Sequence, residues 1–174
     1  MSTQPIRAAE PDSVRTVTFD PTMEAKITEV LSRYPTRRAA ILPVLWLCQD
    51  RYGWISPGVI TAVAGRLGES AAYVEGVVSF YTMFYTSPPA RYVLQVCETL
   101  SCAVCGGKEL LHHLEAKLGV GTGEKTPDGI FQIVGVQCLG ACGSAPVVQI
   151  NDDYYEDLTL ERLDALLDEL KGRV

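Results

Sequence analysis

The chain has 174 residues, 47% of them hydrophobic, which is enough for a proper core and suits one domain or a domain with a smaller companion. Its net charge of −6 and the lack of any long basic stretch argue against nucleic acid as a partner, because phosphates are met by basic patches. The longest apolar run, residues 39–48, is interrupted by Pro43 and falls far short of the roughly 20 residues a membrane helix needs.

Residues 1–19 are polar and mixed. They contain no apolar h-region and they carry Glu10 and Asp12, so neither a secretory signal nor a transit peptide is expected. They read as a flexible arm, and the compartment reads as a reducing cytosol. Asp20-Pro21 then predicts a helix start, with Asp as N-cap and Pro at the first helical position; Met23, Ile27, Val30 and Leu31 form its apolar stripe and Tyr34-Pro35 stops it. Thr36 opens a second helix that runs to about Tyr52 and ends at Gly53. It is apolar over most of its circumference, which places it at the centre of a helical bundle, and Pro43 should bend it. Ser56-Pro57 repeats the cap-then-proline signal for a third helix closed by Gly68, and Ser70 starts a fourth that runs to about Ser79.

The aromatic run Phe80–Tyr85 follows, then Thr86-Ser87-Pro88-Pro89, whose paired prolines make it the best linker. Beyond it the pattern changes. Tyr92–Val96 reads as a strand, 97–107 as a loop, 108–118 as a helix, 119–129 as a turn-rich connection and 130–136 as a second strand. A loop over 138–146, a hairpin around Asn151-Asp152 and a helix capped by Thr159 complete the chain. A helix between two strands requires a crossover, so a small mixed sheet covered by helices is predicted. The domains expected are the arm at 1–19, a helical bundle at 20–86 and an α/β domain at 91–174.

Six cysteines in a reducing compartment point to metal or redox chemistry rather than to disulfides. Two tight pairs, Cys97-x4-Cys102 and Cys138-x3-Cys142, each follow a predicted strand. Three centres compete for them. Cys102-x2-Cys105 fits a thioredoxin-type dithiol. Cys97, Cys102 and Cys105 with one distant cysteine copy the plant-type [2Fe–2S] spacing. A four-cysteine zinc site is the third. A dithiol leaves Cys97, Cys138 and Cys142 idle, the plant-type spacing uses only one of the second pair, and zinc knuckles usually put two residues between cysteines. Joining the two loops instead uses four thiols, two for each iron. The Gly- and Ala-rich stretch after Cys138 would let backbone N–H groups approach sulfur, and a helix opening near Gly106-Gly107 would aim its positive end at the first loop.

Cys-Glu-Thr-Leu-Ser-Cys at 97–102, Cys-Leu-Gly-Ala-Cys at 138–142, Ala145-Pro146 and the hairpin after it resemble the thioredoxin-like [2Fe–2S] ferredoxin family, which includes the 24 kDa subunit of NADH:quinone oxidoreductase (respiratory complex I). In the N-terminal half, Gly53-Trp54-Ile55-Ser56 and the run Val77–Phe84 look like that family's helical signatures. The resemblance implies an α+β fold, an N-terminal four-helix bundle followed by a thioredoxin-like α/β domain. It implies one [2Fe–2S] cluster on Cys97, Cys102, Cys138 and Cys142, with no stand-alone active site. It also implies a partner flavoprotein subunit that carries FMN and the NADH site and exchanges single electrons with the cluster, in a complex to which this chain is peripheral at the membrane. Other hosts of the same subunit type are the diaphorase parts of NAD-reducing hydrogenases and formate dehydrogenases and electron-bifurcating enzymes. Outside that class stand a thiol–disulfide enzyme using Cys102 and Cys105, and a zinc-stabilised interaction module.

The remaining features read as structural. Cys105 is a spare thiol and Cys48 a core residue. His112 and His113 are adjacent on a helix, about 100° apart, so they cannot both reach one iron and belong to a solvated or half-packed helix surface. Gly119, Gly121 and Gly123 form a connector, and Arg37-Arg38 are exposed. The run Phe80–Tyr85 is expected to pack between the two parts of the chain, or to meet a partner. Ala145-Pro146 stands where thioredoxin-like folds place a cis proline.

Overall fold

The structure, a computed structural model, describes residues 4–6 and 17–173. These divide into two compact units: the residues up to Pro88, and Pro89 onward together with residues 4–6. Most of the arm expected over 1–19 lies outside the described residues. Of its described parts, Ile6 N–H bonds to Arg91 O at 3.0 Å, and Val17 and Phe19 pack against the helical core.

The first unit holds four helices: α1 (Pro21–Ser32), α2 (Ile41–Tyr52), α3 (Pro57–Leu67) and α4 (Ala71–Phe80). Their starts are chemical. Asp20 accepts the Met23 N–H, Ser56 the Val59 N–H and Ser70 the Tyr73 N–H, and proline follows the first two caps, where its missing N–H costs nothing. Gly53 and Gly68 end α2 and α3 with φ of 80° and 73°, a conformation that strains any other L-residue. The helices close on Ile27, Val44, Leu45, Cys48, Val59, Val63 and Val74, all without solvent exposure. Each large apolar side chain buried this way contributes roughly 1.5–3 kcal/mol.

Two expectations for α2 change. A 3-10 turn at Arg38–Ala40 precedes it, so Pro43 falls in its first turn, where the lost N–H had no helical partner. Nor is α2 buried all round: Trp46 is 38% exposed, and Leu42 and Leu47 are half-buried. Arg38 is engaged, lying 4.1 Å from the Tyr73 ring centre and 3.5 Å from Glu69. Within the aromatic run, Phe84 is buried in the helical core whereas Phe80 is 77% exposed. The buried Gln49 side chain donates to Met83 O and accepts from Tyr85 N–H, which fixes the chain that follows α4.

The second unit contains β1 (Tyr92–Cys97), α5 (Leu100–Val104), α6 (Gly107–Leu118), β2 (Phe131–Val136), β3 (Val148–Ile150), β4 (Asp153–Tyr155) and α7 (Leu160–Gly172). The strand order is β2-β1-β3-β4. β1 and β2 are parallel with Cys97 opposite Val136, and the other pairs are antiparallel. Alternate residues Tyr92, Leu94 and Val96 join Phe131, Ile133, Val148 and Ile150 in one core with leucines of α6 and α7, as the period of two along a strand requires. The α5 helix was not expected, since residues 97–107 read as a loop. The hairpin turns at Asn151 (φ 53°), whose buried side chain accepts the Val93 N–H at 2.8 Å and donates to Gln4 O and Arg91 O. His113 is half-packed on its helix, where it bonds Asp164 at 2.7 Å and, with Lys117, ties α6 to α7. The Ala145-Pro146 peptide is cis.

Candidate metal centre

In a parallel pair both strands finish at the same end. Cys97 is the last residue of β1, and Cys138 lies two residues beyond the end of β2, so the two cysteine loops leave the sheet side by side. Each loop is then folded back tightly. After β1 the chain makes α5, with Ala103 N–H on Thr99 O and Cys105 N–H on Ser101 O, and this brings Cys102 round to Cys97. After β2 a reversal with Gly140 at φ 84° leads into a 3-10 turn at Cys142–Ser144.

The result is one group of four sulfurs. Cys138 Sγ and Cys142 Sγ are 3.4 Å apart. Cys97 and Cys102 share a hydrogen bond, and Cys142 feels the charge of both Cys138 and Cys97. Cys97 and Cys102 are buried with Val147, against Leu139, Ala141 and Ala145, whereas Cys138 and Cys142 are exposed. One pair is therefore sealed from water and the other forms the open edge.

Within each pair the two thiols are driven apart. Burial acts to raise Cys97, but hydrogen bonds from Thr99, from the Leu139 backbone and from Cys102 outweigh it and bring the thiol below the ordinary cysteine value. Burial and the neighbouring Cys97 push Cys102 up to about 11. The Gly140 N–H, 3.4 Å from the sulfur, and the Cys142 hydrogen bond lower Cys138, while Cys138 in turn raises Cys142. In each pair one thiol therefore gives up its proton more readily than its neighbour. A cation that takes both sulfurs displaces their protons.

The chemistry of the donor set fits a di-iron unit. Thiolates are soft ligands, and a [2Fe–2S] cluster takes four of them, two at each iron. Among the described residues no three His, Cys, Asp or Glu side chains converge on a single ion position; two sulfurs for each iron ask for no such triplet. Backbone approaches closely as well. A Cβ on Gly107 would lie 2.8 Å from Cys102 O and 3.0 Å from Cys97 O, so only glycine lets α6 begin against the first cysteine loop. Cys105, at the C-cap of α5, is exposed and enters none of the contacts named for the other four. Cys48 sits in the core of the helical unit, where burial pushes its thiol up to about 12. Sequence reasoning missed Thr99, whose hydroxyl is 3.3 Å from Cys97 Sγ; a threonine between two cysteines carries no signal of its own.

A mixed sheet that gathers four cysteine sulfurs at the end of its parallel pair defines a redox metal protein on a thioredoxin-like scaffold. Residues 27–171 match the thioredoxin-like [2Fe-2S] ferredoxin family. The chain belongs to that family, and its cofactor is a [2Fe–2S] cluster. An NADH-quinone oxidoreductase subunit of Rhizobium meliloti (strain 1021) is 45% identical over 151 residues, 87% of this chain and 90% of that protein. The NADH-quinone oxidoreductase subunit 2 of Thermus thermophilus is 46% identical over 149 residues, 84% of this chain and 82% of that protein. Among solved structures, the NAD+-reducing [NiFe]-hydrogenase in its H2-reduced state superposes with a TM-score of 0.69 at 22% identity; the match covers 77% of this chain and 22% of the hydrogenase chain, and is a likeness of fold alone.

Proposed function

We infer that this chain is the electron-transfer subunit of an NADH–quinone oxidoreductase, holding its [2Fe–2S] cluster on Cys97, Cys102, Cys138 and Cys142. The observation that carries the reading is the convergence of four sulfurs, drawn from two loops, at the C-terminal ends of β1 and β2. When bound, such a cluster accepts and returns one electron at a time. The protein's own part is to hold the sulfurs and to control their surroundings. Cys97 and Cys102 anchor the sealed side, where Val147, Leu139 and Ala145 exclude water. The Gly140 N–H points at Cys138 and favours negative charge on that sulfur.

The partner in this reading is a flavoprotein subunit whose FMN exchanges electrons with the open, Cys138/Cys142 edge. Leu100 and Val104, each 78% exposed on the helix that carries Cys102, give such a partner apolar surface to cover. No helix of the described residues is long and apolar enough to cross a membrane, and attachment to the membrane is assigned to the parent complex, on its cytoplasmic side. Residues 20–86 are assigned as a four-helix bundle domain and 91–174 as the cluster domain.

Iron and sulfide analysis with EPR of the dithionite-reduced protein tests the ligand set. Two irons per chain and a spin-half signal are expected. Serine at position 97, 102, 138 or 142 should perturb the signal, whereas Cys105→Ala should leave it intact. A loss pattern that includes Cys105 and spares one member of the second pair would establish the plant-type ligand set instead.

A further inference from the structure

Among the described residues, four helices open on a residue whose side-chain oxygen accepts the N–H three positions on: Asp20, Ser56, Ser70 and Thr159. Thr99 occupies the same place before α5, with the same extended backbone (φ −83°, ψ 167°), yet its side chain makes no capping bond. The Thr99 carbonyl still accepts the Ala103 N–H at 2.9 Å, so the helix does start there. Only the hydroxyl is diverted. It lies 3.3 Å from Cys97 Sγ. The hydroxyl is therefore turned to a sulfur of the sealed pair instead of to the helix.

We propose that Thr99 tunes the redox potential of the cluster, its hydroxyl withdrawn from helix capping to donate to the sulfur of Cys97. The proposal rests on the ligand assignment above. Its physical basis is differential. A reduced iron–sulfur centre carries one more negative charge than the oxidised one, part of it on the sulfurs, so a donor aimed at sulfur stabilises the reduced form more and raises the potential. Thr99 acts through the Cys97 sulfur and is in that sense a positioning residue.

The test is an EPR-monitored redox titration of the cluster-loaded full chain carrying Thr99→Val or Thr99→Ser, with thermal unfolding followed in parallel. Valine keeps the branched shape and removes the hydroxyl. It is expected to lower the preference for the reduced state about tenfold, which for one electron is ~59 mV. Serine should hold the wild-type potential. Thermal unfolding of Thr99→Val should move less than that of a cap removal, because the hydroxyl caps no helix. Ser56→Ala, which removes a true cap, should do the reverse, lowering the unfolding midpoint and leaving the potential alone. A loaded Thr99→Val protein at the wild-type potential overturns the proposal, and so does a serine variant that shifts as far as valine. Should the valine variant fail to load, Thr99→Ala removes the same hydroxyl with no added bulk and is titrated in its place. A wild type without two irons would defeat the ligand assignment; a loaded variant with an unmoved potential defeats only the role of Thr99.

Discussion

Replacing Gly107 by alanine should loosen the cysteine site from the outside. Gly107 is the first residue of α6, buried, and its φ is not among the positive ones, so alanine suits the backbone there. Space is the obstacle. The new Cβ would lie 2.8 Å from Cys102 O and 3.0 Å from both the Cys102 carbonyl carbon and Cys97 O, whereas ordinary contact begins at 3.4 Å. All three atoms are backbone and cannot rotate away, so helix and loop must separate by about 0.6 Å, the difference between 3.4 and 2.8 Å. Overpacking of this kind costs about 1–3 kcal/mol, and the gain from replacing a helical glycine offsets roughly 0.5–1. The net loss is about 1–2 kcal/mol, concentrated on the residues that carry two of the sulfurs. Gly135→Ala is the instructive contrast. Its Cβ would come closer still, 2.6 Å from Glu98 Oε2, but that atom ends an exposed, flexible side chain that can swing aside. Gly65→Ala and Gly76→Ala meet nothing within 4 Å and should stabilise α3 and α4 by roughly 0.5–1 kcal/mol each. Guanidinium unfolding followed by far-UV circular dichroism, with the visible band as a separate record of the cluster, would measure all four. A Gly107→Ala protein that matches wild type in both signals, or a Gly135→Ala protein that is equally damaged, would refute the steric account.

Three further outcomes are expected. Asn151→Gly keeps the positive φ but deletes three hydrogen bonds and leaves the Val93 N–H buried, so denaturant titration should show a loss of about 2–3 kcal/mol, with Asn151→Ala worse by about another 1 from left-handed strain; a glycine variant as stable as wild type would contradict this. With its thiol at about 12, Cys48 should escape iodoacetamide at about pH 8 in the cluster-loaded protein while exposed Cys105 is labelled, as peptide mass spectrometry can show; equal labelling of the two would count against the buried assignment. Hydrogen bonds from His113 and then Lys117 hold the Asp164 carboxyl below its usual range. Its stabilising effect is therefore present above the unfolded carboxylate value of about 3.9 and is lost as pH falls through the lower folded value. With 36% of the side chain exposed, solvent screening limits the cost of Asp164→Asn at neutral pH to less than about 1 kcal/mol. That gap should close on acidification, and one that stayed constant from pH 7 to pH 3 would be incompatible with the ion pair.

Local chemistry explains what could be read from the sequence. Asp20-Pro21, Ser56-Pro57 and Ser70 state where helices begin, and Gly53 and Gly68 where they end, because caps and positive φ are decided by neighbours in the chain. The two cysteine pairs were legible for the same reason. What stayed hidden was either too short or too distant. The helix α5 has five residues, fewer than two turns, and Leu100 and Val104 on it face solvent, so it offers neither period nor apolar stripe. The first turn of α2 was misplaced because a 3-10 turn and an α-helix share residue preferences, and only the hydrogen bonds separate them. The bond from Asn151 to Val93 spans 58 residues and that from His113 to Asp164 spans 51; no periodicity reaches so far.

The parallel pairing of β1 and β2 is what makes a site out of two unremarkable cysteine loops. Were the strands antiparallel, Cys97 and the chain leading to Cys138 would lie at opposite ends of a six-residue ladder, about 17 Å apart at roughly 3.3 Å per residue, and no di-iron unit could bridge them. Parallel strands demand a crossover, and here the crossover is α6. It has to start immediately after the first loop and close to the strand end, which brings its first residue onto the carbonyls of Cys97 and Cys102 and makes that residue a glycine. Topology, close packing and ligand placement are therefore a single constraint. Three of the four sulfurs are carried by a strand end, the short helix α5 and a 3-10 turn, so backbone hydrogen bonds rather than a long loop set where they lie.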